Sequence, residues 1–207
     1  MKKKTAYKIM LFAICFFSTI VVSKVNAAED DNVISQGIYI DSVHIGGMTE
    51  QEAKEAVENY INDLKSKTVT VMIEDKSETI SLQELGYSPV ENDFIEQAVR
   101  VGKEGNLIKR YKDLKDVEVD KLTFDLEFTI DDSKIKEFLE TKGSIYDVEP
   151  VNATVRRENS AFVYTDDVVG KKLDVMETLK MIKEALGASW NQEDLSIAAK
   201  VDEVQPK

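Results

Sequence analysis

"GIYIDSVHIGGMTEQEA", residues 37–53, decides the fold. Ile38, Ile40, Val43 and Ile45 form a broken apolar alternation, the pattern of a strand. Gly46 and Gly47 then turn the chain. Thr49 is a favourable N-cap and Glu52 stands three residues on, so the pair predicts a capping box. Ala53, Ala56, Val57, Tyr60, Ile61 and Leu64 follow at helical spacing on one face. A phosphate-binding turn would need a further glycine, or a lysine followed by serine or threonine. Met48 and Thr49 stand there instead, and Glu50 and Glu52 would repel a phosphate at the helix start. The glycine pair is read as a structural corner.

Downstream, "TVTVMIED" (68–75) is a β-branched strand, and "TISLQELGY" (79–87) predicts a second strand ending near Gly86. "ENDFIEQAVRVG" (91–102) predicts a helix stopped by Gly102, and "NLIKRYKDL" (106–114) a short basic helix. The order then recurs. "KLTFDLEFTI" (121–130) alternates as a strand, and "DDSKIKEFLETKG" (131–143) is a helix stopped by Gly143. "VNATVRREN" and "SAFVYTDDVVG" (151–170) are hairpin partners, "LDVMETLKMIKEALG" (173–187) is a helix, and "DLSIAAKVDEV" (194–204) closes as a strand. A shift of about 84 residues lays Gly86 on Gly170, Val71 on Val155 and Thr49 on Ser133. The expected fold class is α+β: two tandem two-layer sandwich units, each roughly β-α-β-β-α-β with a mostly antiparallel sheet. The units are expected at 37–118 and 119–207, divided at the charged run "DVEVDK" (116–121), after a flexible lead-in over 28–36.

The first residues read as a targeting segment. Lys2, Lys3 and Lys4 precede an apolar run from Ile9 to Val22, and Val25 and Ala27 suit a cleavage site. Residues 1–27 are therefore expected to be a signal peptide, with retention as an N-terminal membrane anchor the alternative. Cys15, the only cysteine, lies inside that run, so the processed chain would hold no thiol. The first 27 residues carry five lysines and no acid. Their loss takes 27 basic residues to 22 against 39 acidic ones, a net charge of −17. That balance argues against nucleic-acid partners and against anionic lipid surfaces.

No catalytic set stands out, and no metal or other cofactor is expected. His44 is the only histidine and reads as a packed or edge residue. The acid pairs Asp131-Asp132 and Asp166-Asp167 sit where capping explains them, and they lack the alternating ligands of a calcium loop. Two features are candidates for binding. Arg100, Lys103, Lys109, Arg110, Lys112 and Lys115, with Tyr111 among them, form a basic patch in an acidic chain. It would meet carboxylates or phosphates of a wall polymer, or else the chain's own acidic surface. Trp190, in "GASWNQED" after the last helix, would stack on a sugar ring or cap a core edge. Gly46, Gly47, Gly86 and Gly170 are read as turn glycines, and the loops around the last two as walls of a groove.

"IDSVHIGGMTEQEA" (40–53) and "PVNATVRRENSAFVYTDDVVGKKLD" (150–174) resemble the peptidoglycan-binding domain family found ahead of L,D-transpeptidase or VanW-type domains in exported proteins of Gram-positive bacteria. The resemblance covers nearly all of the chain after residue 27. It implies a cell-wall location, peptidoglycan or another wall polymer as partner, and a binding or spacing role beside a wall-modifying enzyme. The cysteine-histidine motif of the transpeptidase module is not among these residues. The chain is expected to be a stand-alone module or the N-terminal part of a larger enzyme.

Overall fold

The glycine corner and the capped helix form as the sequence predicts, but the strand expected over 38–45 folds back on itself at Asp41 and Ser42. In the computed structural model, which describes residues 33–187 and 189–207, β1 (Ile38–Ile40) turns back antiparallel into β2 (Val43–His44), and α1 (Glu50–Ser66) follows. The capping box is complete: Glu52 N–H donates to Thr49 Oγ1 at 3.3 Å, and Thr49 N–H donates to Glu52 Oε2 at 2.8 Å. Thr49→Ala is expected to cost about 1 kcal/mol, read as a lower urea midpoint; an unchanged midpoint would mean water replaces the cap. The segment read as a signal peptide, with residues 28–32 of the lead-in, lies outside the described residues. Residues 33–36 are not the expected flexible lead-in. Ile34 is buried, its N–H donates to the Met48 carbonyl at 2.8 Å, and its own carbonyl accepts from Gly47 at 2.8 Å.

The first half continues with β3 (Thr68–Ile73), β4 (Lys76–Ser81), β5 (Ser88–Pro89), α2 (Phe94–Arg100) and α3 (Leu107–Asp120). The second contains β6 (Leu122–Phe124), β7 (Phe128–Thr129), α4 (Asp132–Phe138), β8 (Thr154–Glu158), β9 (Ala161–Thr165) and β10 (Gly170–Leu173). It ends with α5 (Val175–Ala185), β11 (Leu195–Ala198) and β12 (Val201–Val204). The fold is α+β with several small, mostly antiparallel sheets. The order β1, α1, β3, β4, β5, α2 recurs as β6, α4, β8, β9, β10, α5. β1 and β6 lie side by side in parallel, with Ile38 opposite Leu122.

The two hydrophobic cores do not follow the expected division at residue 118. One joins Ile34, Ile38, Ile40, Ile45, Ala53 and Val57 to Ala98, with Leu122, Phe124 and Leu126 against it. The other joins Val69, Val71 and Ile73 of β3 to Ile135, Phe138 and Leu139 around α4, Ile182 of α5 and Ile197 of β11. Strand β11 runs parallel to β3, with Ile197 opposite Val71, and so binds the end of the chain to the first half. The expected boundary at 116–121 is the last turn and C-cap of α3.

Three further expected strands are cut, each by a hydrogen bond competing with the sheet. Residues 79–87 leave the strand at Ser81, because Ser81 and Glu84 make their own capping box (Glu84 N–H to Ser81 Oγ 3.2 Å; Ser81 N–H to Glu84 Oε2 3.1 Å). Residues 121–130 split into β6 and β7, because the Asp41 carboxylate takes the Leu126 N–H at 2.8 Å. Residues 194–204 split into β11 and β12, because Lys200 N–H turns to Thr178 Oγ1 at 3.1 Å. The helix expected over 131–143 is α4 continued as a π turn (Leu139–Gly143). Gly143 there makes room for Leu173: a β-carbon on it would lie 2.5 Å from Leu173 Cδ2.

Candidate functional site

A cleft of about 820 Å³ opens where the chain crosses between the two cores. Its aromatic wall is built on Tyr87. The Phe128 ring stacks on Tyr87 at 4.8 Å and 5°, and the Trp190 ring meets it edge-on at 5.8 Å and 82°. Register brings the first pair together, since β5 and β7 pair with Pro89 opposite Phe128. Trp190 is fixed by its indole N–H, which donates to the Glu193 carbonyl at 2.9 Å. Leu64, Leu126, Ile130 and Leu186 supply the aliphatic lining, and Asp41, Ser42, Asp125, Thr129, Lys183 and Gln192 the polar one. Burial holds the Tyr87 phenol up at about 12, so it stays protonated at physiological pH.

Asp41 organises the polar side. It follows β1 with φ +46°, a left-handed conformation that Asp and Asn tolerate best after glycine. Its Oδ1 accepts the Leu126 N–H at 2.8 Å, and its Oδ2 accepts from the Tyr60 hydroxyl at 3.3 Å. The Gln192 amide donates to that hydroxyl at 2.9 Å. Burial is the main force raising the Asp41 carboxyl above its ordinary range, and the Asp125 charge adds to it; the two hydrogen bonds oppose it. A raised acid favours folding most below its unfolded value, and that contribution is lost as pH rises through the folded value. Asp41→Asn removes the buried charge while keeping the acceptor for Leu126. Its stability relative to the parent is therefore expected to rise from pH 3 to pH 7 in urea titrations. A fall over that range would mean the hydrogen bonds outweigh burial.

Of the residues singled out from sequence, Trp190 lines this cleft and also packs against the larger core. The basic residues lie elsewhere. Arg100 and Lys109 border a shallow surface groove of about 400 Å³, together with Glu104, Asp113 and Asp116. Arg100 faces Glu96 at 3.8 Å, Lys109 pairs with Asp113 at 2.6 Å, and Lys115 with Glu118 at 2.5 Å. The Arg110 Nε–H donates to the Gly102 carbonyl at 3.2 Å. Lys103 sits in the turn after α2, and Tyr111 is exposed on α3. His44 is exposed on the edge strand β2, with its ring 4.8 Å from that of Tyr39. Gly47 and Gly86 adopt positive φ as turn glycines do. Gly170 instead lies in β10, where a β-carbon would meet the Val148 carbonyl at 2.6 Å. Neither Gly86 nor Gly170 lines the cleft. Among the described residues, no group of three or more His, Cys, Asp or Glu is placed to hold a metal ion.

Tyr87, Phe128, Asp41 and Asp125 were not legible as site residues. Phe128 reads as one more inward strand residue, and Tyr87 as a strand end. The signal available was Asp41 itself, a charge between the apolar Ile40 and Val43 of the opening stretch.

A second exposed feature is the ribbon of β8 and β9. Its register extends unbroken through the bridges Val151–Val168 and Val148–Lys171. By alternation Val151, Val155, Phe162, Tyr164 and Val168 share one face, and all five are exposed. The equivalent face of β3 carries Val69, Val71 and Ile73 and is buried in the larger core.

An α+β fold with an open cleft walled by aromatic rings on one side and carboxylates on another has the form of a ligand-binding domain. The chain belongs to the family described as "Putative peptidoglycan binding domain", whose model matches residues 78–195, more than half of its length. That region holds Tyr87, Asp125, Phe128 and Trp190, whereas Asp41 and Leu64 precede it. Membership supports a cell-wall binding role. No curated protein and no solved structure matches the chain. No helix among the described residues is long and apolar enough to cross a membrane.

Proposed function

We propose that this protein is an exported, non-catalytic cell-wall module that binds peptidoglycan in the Tyr87–Trp190 cleft. The observation that carries the reading is that cleft, formed largely by residues of the family-matched region. The resemblance of residues 40–53 and 150–174 extends the proposal to a Gram-positive wall, with export by the segment at 1–27 and association with an L,D-transpeptidase or VanW-type domain. In this reading the module holds wall polymer near such an enzyme. The test is co-sedimentation of the processed protein with purified Gram-positive sacculi, with and without divalent cations. Retention is expected, and Trp190→Ala, shown folded by far-ultraviolet circular dichroism, is expected to weaken it about tenfold or more. Absence of retention under both conditions would overturn the proposal.

One observation favours a second reading, a spacer that docks a wall enzyme. The exposed face of the β8–β9 ribbon corresponds to a face that helices α4 and α5 help to bury in the first half. A partner presenting an apolar helical face would fit it. Crosslinking in intact cells separates the two roles: glycan or stem-peptide adducts favour wall binding, and protein adducts through the ribbon favour docking.

A further inference from the structure

Within the wall-binding reading, on which this inference rests, we propose that the cleft recognises the free amine of peptidoglycan stem peptides that are not yet cross-linked, and not the glycan strand. A sugar-binding platform needs an open aromatic face. Tyr87 does not offer one, since Phe128 covers its ring, Trp190 abuts it, and it is only 7% exposed. The polar lining is acidic. Asp41 and Asp125 both face the cleft, and the lining cation, Lys183, is held 2.7 Å from Asp132. Such a site repels the terminal carboxylates of the stems. It attracts an ammonium group.

Asp41 is also preset for that role. The Leu126 amide and the Tyr60 hydroxyl fix both of its oxygens, and Gln192 fixes Tyr60 in turn. A carboxylate that burial makes costly to ionise gains most from an incoming cation. Leu64, Leu126 and Leu186 line the same cleft and suit the methylenes of a diamino-acid side chain, whose head would reach the carboxylates. Asp125 is exposed, so its replacement tests recognition with little risk to the fold.

The experiment uses the full processed chain and three preparations of one batch of purified sacculi. The first is untreated. In the second, acetic anhydride followed by hydroxylamine caps the amines as amides and frees the hydroxyls. In the third, carboxylates are capped by carbodiimide and glycinamide. Amine capping is expected to weaken retention about tenfold or more, the scale of a lost charge-assisted hydrogen bond. Asp125→Asn should bring binding to untreated sacculi toward that level, while carboxylate capping should leave parent binding intact or stronger. Equal retention on untreated and amine-capped sacculi would overturn the amine assignment and leave wall binding standing. Retention on none of the three would overturn both.

Discussion

Tyr87→Ala is expected to lower the unfolding free energy by about 3–5 kcal/mol, the range for truncating a buried aromatic residue. Tyr87 is buried in the larger core and is the ring against which Phe128 and Trp190 are both placed. Its loss therefore removes packing area and two ring contacts together, and the cleft loses the element that sets its shape. Tyr87→Phe keeps the ring and should change stability by less than about 1.5 kcal/mol. Urea unfolding of the pair isolates the ring from the hydroxyl. An alanine variant within about 1 kcal/mol of the parent would show that the aromatic wall is not a packed unit. Wall binding should be lost in the alanine variant and kept in the phenylalanine variant at temperatures where both remain folded.

Gly37→Ala is the second large effect, and it acts through the backbone. Gly37 has φ +83°, and a β-carbon on it would lie 2.2 Å from the Val117 carbonyl oxygen of α3. That oxygen already accepts the N–H of Lys121 at 3.0 Å, and the Gly37 carbonyl accepts from Leu122 at 3.0 Å. The obstacle is main chain on both sides, so no rotamer change relieves it. Left-handed strain of about 1–2 kcal/mol and overpacking of about 1–3 kcal/mol together predict a loss of roughly 2–5 kcal/mol. At about 2–4 °C per kcal/mol for a domain of this size, the melting temperature should fall by roughly 4–20 °C. A variant melting with the parent would mean that α3 moves aside freely and contributes little to the fold.

Where local signals acted alone, the sequence was a good guide. The Thr49–Glu52 capping box, the apolar stripe of α1 and the recurrence at about 84 residues all depend on short-range pattern, and all are present. What escaped were side chains whose partners lie far along the chain. The Ser81–Glu84 box is local, but it sits in an apolar alternation that resembles a strand, so periodicity overrode it. Asp41 meets Leu126 across 85 residues, and β11 pairs with β3 across more than a hundred. Neither encounter leaves a mark in spacing. The cleft was hidden for the same reason, since its wall takes Tyr87, Phe128 and Trp190 from three separate segments.

The β8–β9 ribbon has a consequence for how such a molecule can lengthen. The β3–β4 hairpin is roofed by helices of the following half, while its counterpart one repeat later has no roof within the described chain. A third unit placed at the same interval would find a ready-made seat. Growth by tandem duplication would then need no newly evolved interface.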